Sequence, residues 1–104
     1  MLLTTTDTIH GKEISETLGL VRGSTVRAKH VGSDIIAGLR NIVGGEVKEY
    51  ASLLAGAREQ AQDRMIEDAK RLGADAVVGM RFQTSAIAQS ASEVLAYGTA
   101  VKFK

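Results

Sequence analysis

The feature that most constrains this chain is a long apolar stripe between residues 46 and 72. Apolar residues recur there at spacings of three or four, the period of one helix face: Val47, Tyr50, Leu54, Ala57, Ala61, Met65, Ala69 and Leu72. Lys70 and Arg71 occupy the last turn and Gly73 follows it, as expected at a helix end. The pattern predicts a helix over Glu46–Leu72, about 40 Å long at 1.5 Å per residue.

A second, shorter helix is predicted over Ser33–Val43, where apolar residues again share one face. Other segments alternate with a period of two, which is typical of half-buried strands. In the strand predicted over Ala76–Thr84, we expect Val78, Met80 and Phe82 to share a face. The predicted strands are Leu2–Thr6, Thr25–Val31, Ala76–Thr84 and Leu95–Phe103.

The order β, β, α, α, β, β predicts an α+β fold with two layers. A short antiparallel sheet would pack on one long and one shorter helix, and residues 1–104 would form a single domain. A sheet of four short strands leaves its edge strands unpaired. The long helix is also longer than it needs to be to cover so small a sheet. Both observations indicate that subunits assemble.

Composition excludes several classes of function. The net charge is +1 from 13 basic and 12 acidic residues, so neither nucleic acid nor an anionic membrane is expected as a partner. No apolar run is long enough to span a bilayer, and the N-terminus lacks the pattern of a secretory signal. The cytoplasm is therefore the expected compartment. The absence of cysteine excludes thiolate metal sites, iron–sulfur clusters and cysteine nucleophiles.

Few residues are suited to catalysis or to metal binding within one chain. His10 and His30 are the only histidines, neither lies in a metal-ligand spacing, and no serine lies in a nucleophile motif. We therefore predict no catalytic residue. Met65 and Met80 lie on apolar faces and are expected in the core. A symmetric assembly could still repeat one histidine or aspartate around an axis and bind a divalent metal ion, with oxygen ligands favouring Mg²⁺ or Ca²⁺.

Gly44-Gly45, directly before the long helix, has two readings. Free backbone N–H groups at a helix N-terminus bind anions, and Arg40 and Arg58 could reach such an anion. The pair also makes the turn between two consecutive helices. No phosphate-binding motif surrounds it, so the turn is the favoured interpretation.

Short motifs follow one another over the whole chain: Thr4-Thr5-Thr6, Ile9-x-Gly11-Lys12, Leu18-Gly19-x-Val21-x-Gly23, Asp34-x-x-Ala37-x-x-Arg40-x-x-x-Gly44-Gly45, Tyr50, Ala57-Arg58, Gly73-Ala74-Asp75-Ala76-Val77-Val78-Gly79 and Gly98-Thr99-Ala100-Val101. In this order and spacing they resemble the YbjQ-like family. The resemblance implies a dodecin-like subunit in a ring-shaped homopentamer. The family is of unknown function, and its label, "putative heavy-metal-binding", rests on fold comparison. Soft heavy ions prefer thiolates, which this chain lacks.

The positions that match the family pattern are the candidate ligand-binding residues: Thr4, Thr5, Thr6, Asp34, Arg40, Gly44, Gly45, Tyr50 and Arg58. Structural roles compete with binding at each of them. Asp34 and Arg40 could cap or bridge helices, Tyr50 could pack on the sheet, and the glycines could only shape the backbone.

Three functions remain open from the sequence. The favoured one is a non-enzymatic cytoplasmic homopentamer that binds a metal ion or a small ligand at subunit interfaces. An alternative is a small enzyme that uses Asp34, Arg40 and Tyr50 on a phosphorylated or carboxylated metabolite. The third is a purely structural ring that serves interactions.

Overall fold

The computed structural model describes residues 1–28, 45–89 and 91–104. Strand β1 spans Leu2–Leu3, β2 spans Ile14–Ala28, helix α1 spans Gly45–Arg71, β3 spans Ala76–Ala88 and β4 spans Ala91–Phe103. The fold is α+β, with a four-stranded sheet in the order β1-β3-β4-β2 and α1 packed on one face. The predicted helix over Ser33–Val43 lies outside the described residues.

Helix α1 begins and ends within one residue of the predicted bounds. Gly73 adopts φ 78°, its N–H donates to the Lys70 carbonyl at 3.0 Å, and the Ala74 N–H donates to the Ala69 carbonyl at 3.1 Å. These two bonds form a Schellman motif, for which glycine is suited because it has no Cβ. Within the described ranges, no helix combines the length and the apolar content that crossing a bilayer requires.

The sheet is mixed. β4 lies between β2 and β3 and is antiparallel to both, whereas β1 pairs in parallel with β3 at Ala76 and Val77. The parallel pair arises because β1 is separated from β3 by β2 and α1, and a strand that returns after a long crossover can lie parallel. The two residues of β1 occupy only the beginning of β3.

β2 starts at Ile14, eleven residues before the predicted start at Thr25. Register shifts at Ile14/Glu16 and at Thr17/Gly19 interrupt the alternation of its first part, and Gly19 has φ 123°. Such irregularities conceal a strand from a period-two pattern, since each extra residue exchanges the two faces.

The side-chain alternation in β3 also changes, at Gly79. A bulge between Val78 and Arg81, with Gly79 at φ 62°, places Met80 in the core under α1 and Val78 in a cluster on the other face. The prediction that Val78 and Met80 share a face is therefore wrong. The extra residue at the bulge reverses the alternation.

Two apolar clusters hold the subunit together. The larger lies between α1 and the sheet and includes the fully buried Val21, Met65 and Val77. The smaller lies on the opposite face, where Ile9, Ile14 and Phe103 cover Ala76, Val78 and Val101. Ile9 belongs to the segment between β1 and β2, so that segment crosses to the face that α1 leaves open.

Gly23 is the point of closest approach between the two layers. A Cβ added there would overlap backbone atoms of Ala61, Arg64 and Met65 on α1. The facing helix residues Ala57, Ala61 and Ala69 are small and fully buried. The helix backbone therefore rests directly on β2.

We predict that Gly23→Ala destabilises the subunit by about 1–3 kcal/mol, because the added methyl group meets backbone that cannot rotate away. Gly56→Ala is the matched control. Gly56 lies exposed in α1, and a Cβ there would meet nothing within 4 Å. It should gain about 0.5–1 kcal/mol from higher helix propensity. Urea unfolding of both variants measures the difference, and equal midpoints would contradict the close approach.

Candidate ligand-binding site

The predicted threonines lie in the segment that follows β1, here called the threonine loop and defined as residues 4–8. The Thr4 N–H donates to the Val77 carbonyl at 3.0 Å, and the Thr4 carbonyl accepts from the Met80 N–H at 3.0 Å. The Thr6 carbonyl accepts from the Gly79 N–H at 2.8 Å. The loop is thus tied to β3 just before the bulge, at Val77, and within it, at Gly79 and Met80.

Arg81 adds a side-chain bond to the same loop. Its Nη1 donates to the Thr5 carbonyl and to the Met80 carbonyl, both at 2.8 Å. The guanidinium therefore holds the middle of the loop against β3. The sequence contains no signal for this role, because Arg81 reads as an ordinary polar residue of an alternating strand.

The threonine hydroxyls form a chain with one direction. Thr6 Oγ1 donates to the Thr8 carbonyl at 2.6 Å, and a hydroxyl has only one proton to donate. The 2.7 Å contact between Thr4 Oγ1 and Thr6 Oγ1 must then run from Thr4 to Thr6. Thr4 Oγ1 also accepts from the Thr6 N–H at 3.2 Å. Both hydroxyl protons are used within the loop, and lone pairs remain on the oxygens.

An open cavity of about 520 Å³ lies beside this chain of hydroxyls. Its volume is within the range of small-molecule sites. Its apolar part comes from β1 and Ile9, and its polar part from the loop and His10. The lining residues are Leu2, Leu3, Thr4, Thr6, Thr8, Ile9 and His10.

The structure brings together only some of the predicted site residues. Thr4 and Thr6 line the cavity, and Thr5 contributes its carbonyl to Arg81. Gly45 is the first residue of α1, and Tyr50 lies in the same helix. Asp34, Arg40 and Gly44 lie outside the described residues.

Arg58 is remote from the threonine loop within one subunit. Gln60 Oε1 accepts from Arg27 Nη2 at 2.9 Å, whereas Asp68 Oδ2 accepts from the Arg22 N–H at 3.2 Å. α1 therefore runs along β2 in the direction from Arg27 to Arg22, and Arg58 lies beyond the Arg27 end. Arg22 and Arg81 both pair with Tyr97 of β4, so they lie at the same height in the sheet. The strand from Arg22 to Arg27 spans about 17 Å, and this distance separates Arg58 from the threonine loop.

The described residues of one subunit offer no ready set of ligands for a metal ion. Within residues 1–28, 45–89 and 91–104, no three side chains of His, Cys, Asp or Glu are grouped closely enough to hold an ion. Met65 and Met80 are buried in the core, as predicted. A metal site built from the described residues would need donors from more than one subunit.

Comparison with known proteins identifies the family. Residues 1–104 match the YbjQ family, described as "Putative heavy-metal-binding". The chain belongs to this family. Among curated relatives, a "UPF0145 protein" of Halorubrum lacusprofundi is 62% identical, with all of both chains covered. Another of the same name from Methanosarcina acetivorans is 61% identical, over 98% of this chain and 96% of the relative.

A solved structure has the same fold as this YbjQ-family chain. It is a protein of unknown function from the DUF74 family of Pediococcus pentosaceus, with a TM-score of 0.64 and 18% identity. The comparison covers 100% of this chain and 98% of the other. At this identity the likeness concerns the fold alone, and it agrees with the α+β architecture described above.

We predict that Arg81→Ala loosens the threonine loop without unfolding the subunit. Loss of the bond to the Thr5 carbonyl should cost about 1 kcal/mol, which corresponds to about fivefold faster opening. Hydrogen–deuterium exchange at the Gly79 and Met80 amides, which donate to the loop, measures this change. Arg58→Ala is the control and should leave both amides unchanged. Unaltered exchange in Arg81→Ala would show that the guanidinium does not hold the loop.

Proposed function

We propose that this YbjQ-family protein is a cytoplasmic homopentamer that binds a divalent metal ion or a small ligand at its subunit interfaces. The observation that carries the proposal is the excess surface of the isolated subunit. Its accessible surface is 6697 Å², whereas a compact monomer of 11.0 kDa exposes about 5,600 Å².

The shape of the subunit explains the excess. The radius of gyration is 17.2 Å, against about 13 Å for a compact domain of this length, and the extents are 55 × 22 × 16 Å. The additional surface is about 1,100 Å², comparable with the roughly 800 Å² that each partner buries in a stable interface. Association would return the subunit to an ordinary ratio of surface to volume.

The strand edges support assembly through β2 and β3. In the part of the chain that the structure describes, β2 has no neighbour on its outer side, and β3 has none beyond the threonine loop. Leu20 and Val26 on β2 are 64% and 55% exposed. Phe82 and Ile87 on β3 are 43% and 55% exposed. Long edges with exposed apolar side chains pair with other chains.

The proposed position of the ligand site, between subunits, follows from the distance between the predicted site residues. Arg58 and the threonine loop lie too far apart to share a ligand within one subunit. A neighbouring subunit could supply one of them to the other, which supports a site between subunits. The lack of cysteine and the burial of Met65 and Met80 favour a hard divalent ion over a soft heavy one.

Native mass spectrometry of protein purified without chelator and without an affinity metal tests the assembly and the ligand binding together. We expect a species of five times the 11.0 kDa subunit mass, with a reproducible adduct that identifies the ligand. A bare monomer would overturn the assembly. A pentamer without an adduct, and without heat on titration with Mg²⁺, Ca²⁺ or Zn²⁺, would overturn metal binding and favour a structural ring.

Ile87→Lys should dissociate the pentamer, because pairing of the β3 edge would bury an unpaired charge. Glu59→Lys introduces the same side chain at an exposed position of α1 and serves as the matched control. Native mass spectrometry gives the subunit count, and far-ultraviolet circular dichroism verifies the fold of both variants. An intact pentamer in Ile87→Lys would exclude the β3 edge from the interface.

A further inference from the structure

We infer that the cavity beside the threonine loop binds a small organic amine, with the ammonium group donating to the hydroxyl oxygens of Thr4 and Thr6. The inference rests on the ligand-binding part of the proposed function and names the chemical class of a ligand. The proposed contacts use residues of one subunit, so the inference can be tested apart from the pentamer.

The direction of the hydroxyl chain sets the polarity of the cavity. The Thr4 proton is donated to Thr6 Oγ1, and the Thr6 proton is donated to the Thr8 carbonyl. Each oxygen can therefore accept a hydrogen bond from a ligand but cannot donate one without breaking the chain. An anion or a carboxylate needs donors, whereas an ammonium group brings three of its own.

Two backbone N–H donors of the loop are committed as well. The Thr4 N–H donates to Val77 and the Thr6 N–H donates to Thr4 Oγ1. Arg81 is not among the cavity-lining residues, and its Nη1 is shared between two carbonyls. The Thr8 hydroxyl and the His10 imidazole can each donate or accept, so they accommodate a further polar group of either kind.

The apolar lining determines the body of the ligand. Leu2, Leu3 and Ile9 form this side of the cavity, and Leu2 is 45% exposed. An alkyl chain placed there removes apolar surface from water on both partners. A hydrated metal ion gains nothing from these walls, and no three potential metal-ligating side chains are grouped in the described ranges. The combination of lone pairs and apolar walls fits an amine on a hydrocarbon body.

Charge around the loop is compatible with a cation. Asp7 belongs to the threonine loop, and its carboxylate lies near Gly79. A Cβ added to Gly79 would be 3.6 Å from Asp7 Oδ1. Asp7 is exposed, so it contributes weak, screened attraction to an ammonium group rather than a fixed ion pair. The bonds to Thr4 and Thr6 would fix the position of the amine.

The test compares two probes that share a butyl group, n-butylammonium and pentanoate. Both are titrated at neutral pH into the full chain with labelled leucine and isoleucine methyl groups, a method suited to a large assembly. We expect n-butylammonium to shift the signals of Leu2, Leu3 and Ile9. Pentanoate should shift them with an affinity at least about tenfold lower. Equal shifts, or stronger shifts with pentanoate, would overturn the inference.

Substitutions at the hydroxyls supply the matched controls. Thr6→Val keeps the branched shape and removes the oxygen, so affinity for n-butylammonium should fall about tenfold or more. Thr84→Val makes the same change at an exposed position of β3 outside the cavity lining and should bind as the original protein does. Thr6→Ser retains the hydroxyl and should bind nearly as well. Unchanged binding in Thr6→Val would overturn the inference.

The two proposals can fail separately. A pentamer with a metal adduct but no response to n-butylammonium would remove the amine site and leave the proposed function standing. A monomer that binds n-butylammonium through Thr6 would do the reverse.

Discussion

The direct contact between the backbone of α1 and β2 at Gly23 is the constraint on which the rest of the subunit depends. It requires glycine on the strand and alanines on the facing turns of the helix, so the layers are thin and contain few large side chains. Such a core has little apolar volume for its length. The smaller cluster under Ile9, Ile14 and Phe103 adds to it on the opposite face. Stability is therefore distributed along the sheet, and the subunit is long with uncovered edges.

The helix and its ends could be predicted because their signals are local. An apolar stripe of constant period, basic residues in the last turn and Gly73 as the C′ residue each act within a few positions of the helix. The α+β class follows once the periods of the flanking segments are recognised. The first part of β2 could not be predicted in this way, since its bulges interrupt the alternation on which the method depends. The parallel pairing of β1 is a contact across most of the chain and has no local signature.

The sequence singles out the threonines that lie beside the cavity, but it does not predict their hydrogen bonds. The run Thr4-Thr5-Thr6 is visible in the sequence, and two of its members line the cavity. The roles of Arg81 and of the Thr8 carbonyl depend on distances between segments that are remote in sequence or on one rotamer. Hydrogen-bond direction in particular is decided by geometry, because threonine can donate or accept equally well until its partners are placed. The residue pattern therefore locates the polar loop more readily than the direction of its hydrogen bonds.

The bulge at Gly79 divides β3 into two parts of opposite phase. Ala76 and Val77, before the bulge, pair with β1, whereas the residues after Arg81 pair with β4 alone among the described strands. Changes of side chain after the bulge leave the register of the first part untouched. Substitutions in the outer part of β3 can therefore change the chemistry of that edge without touching the cavity beside the threonine loop.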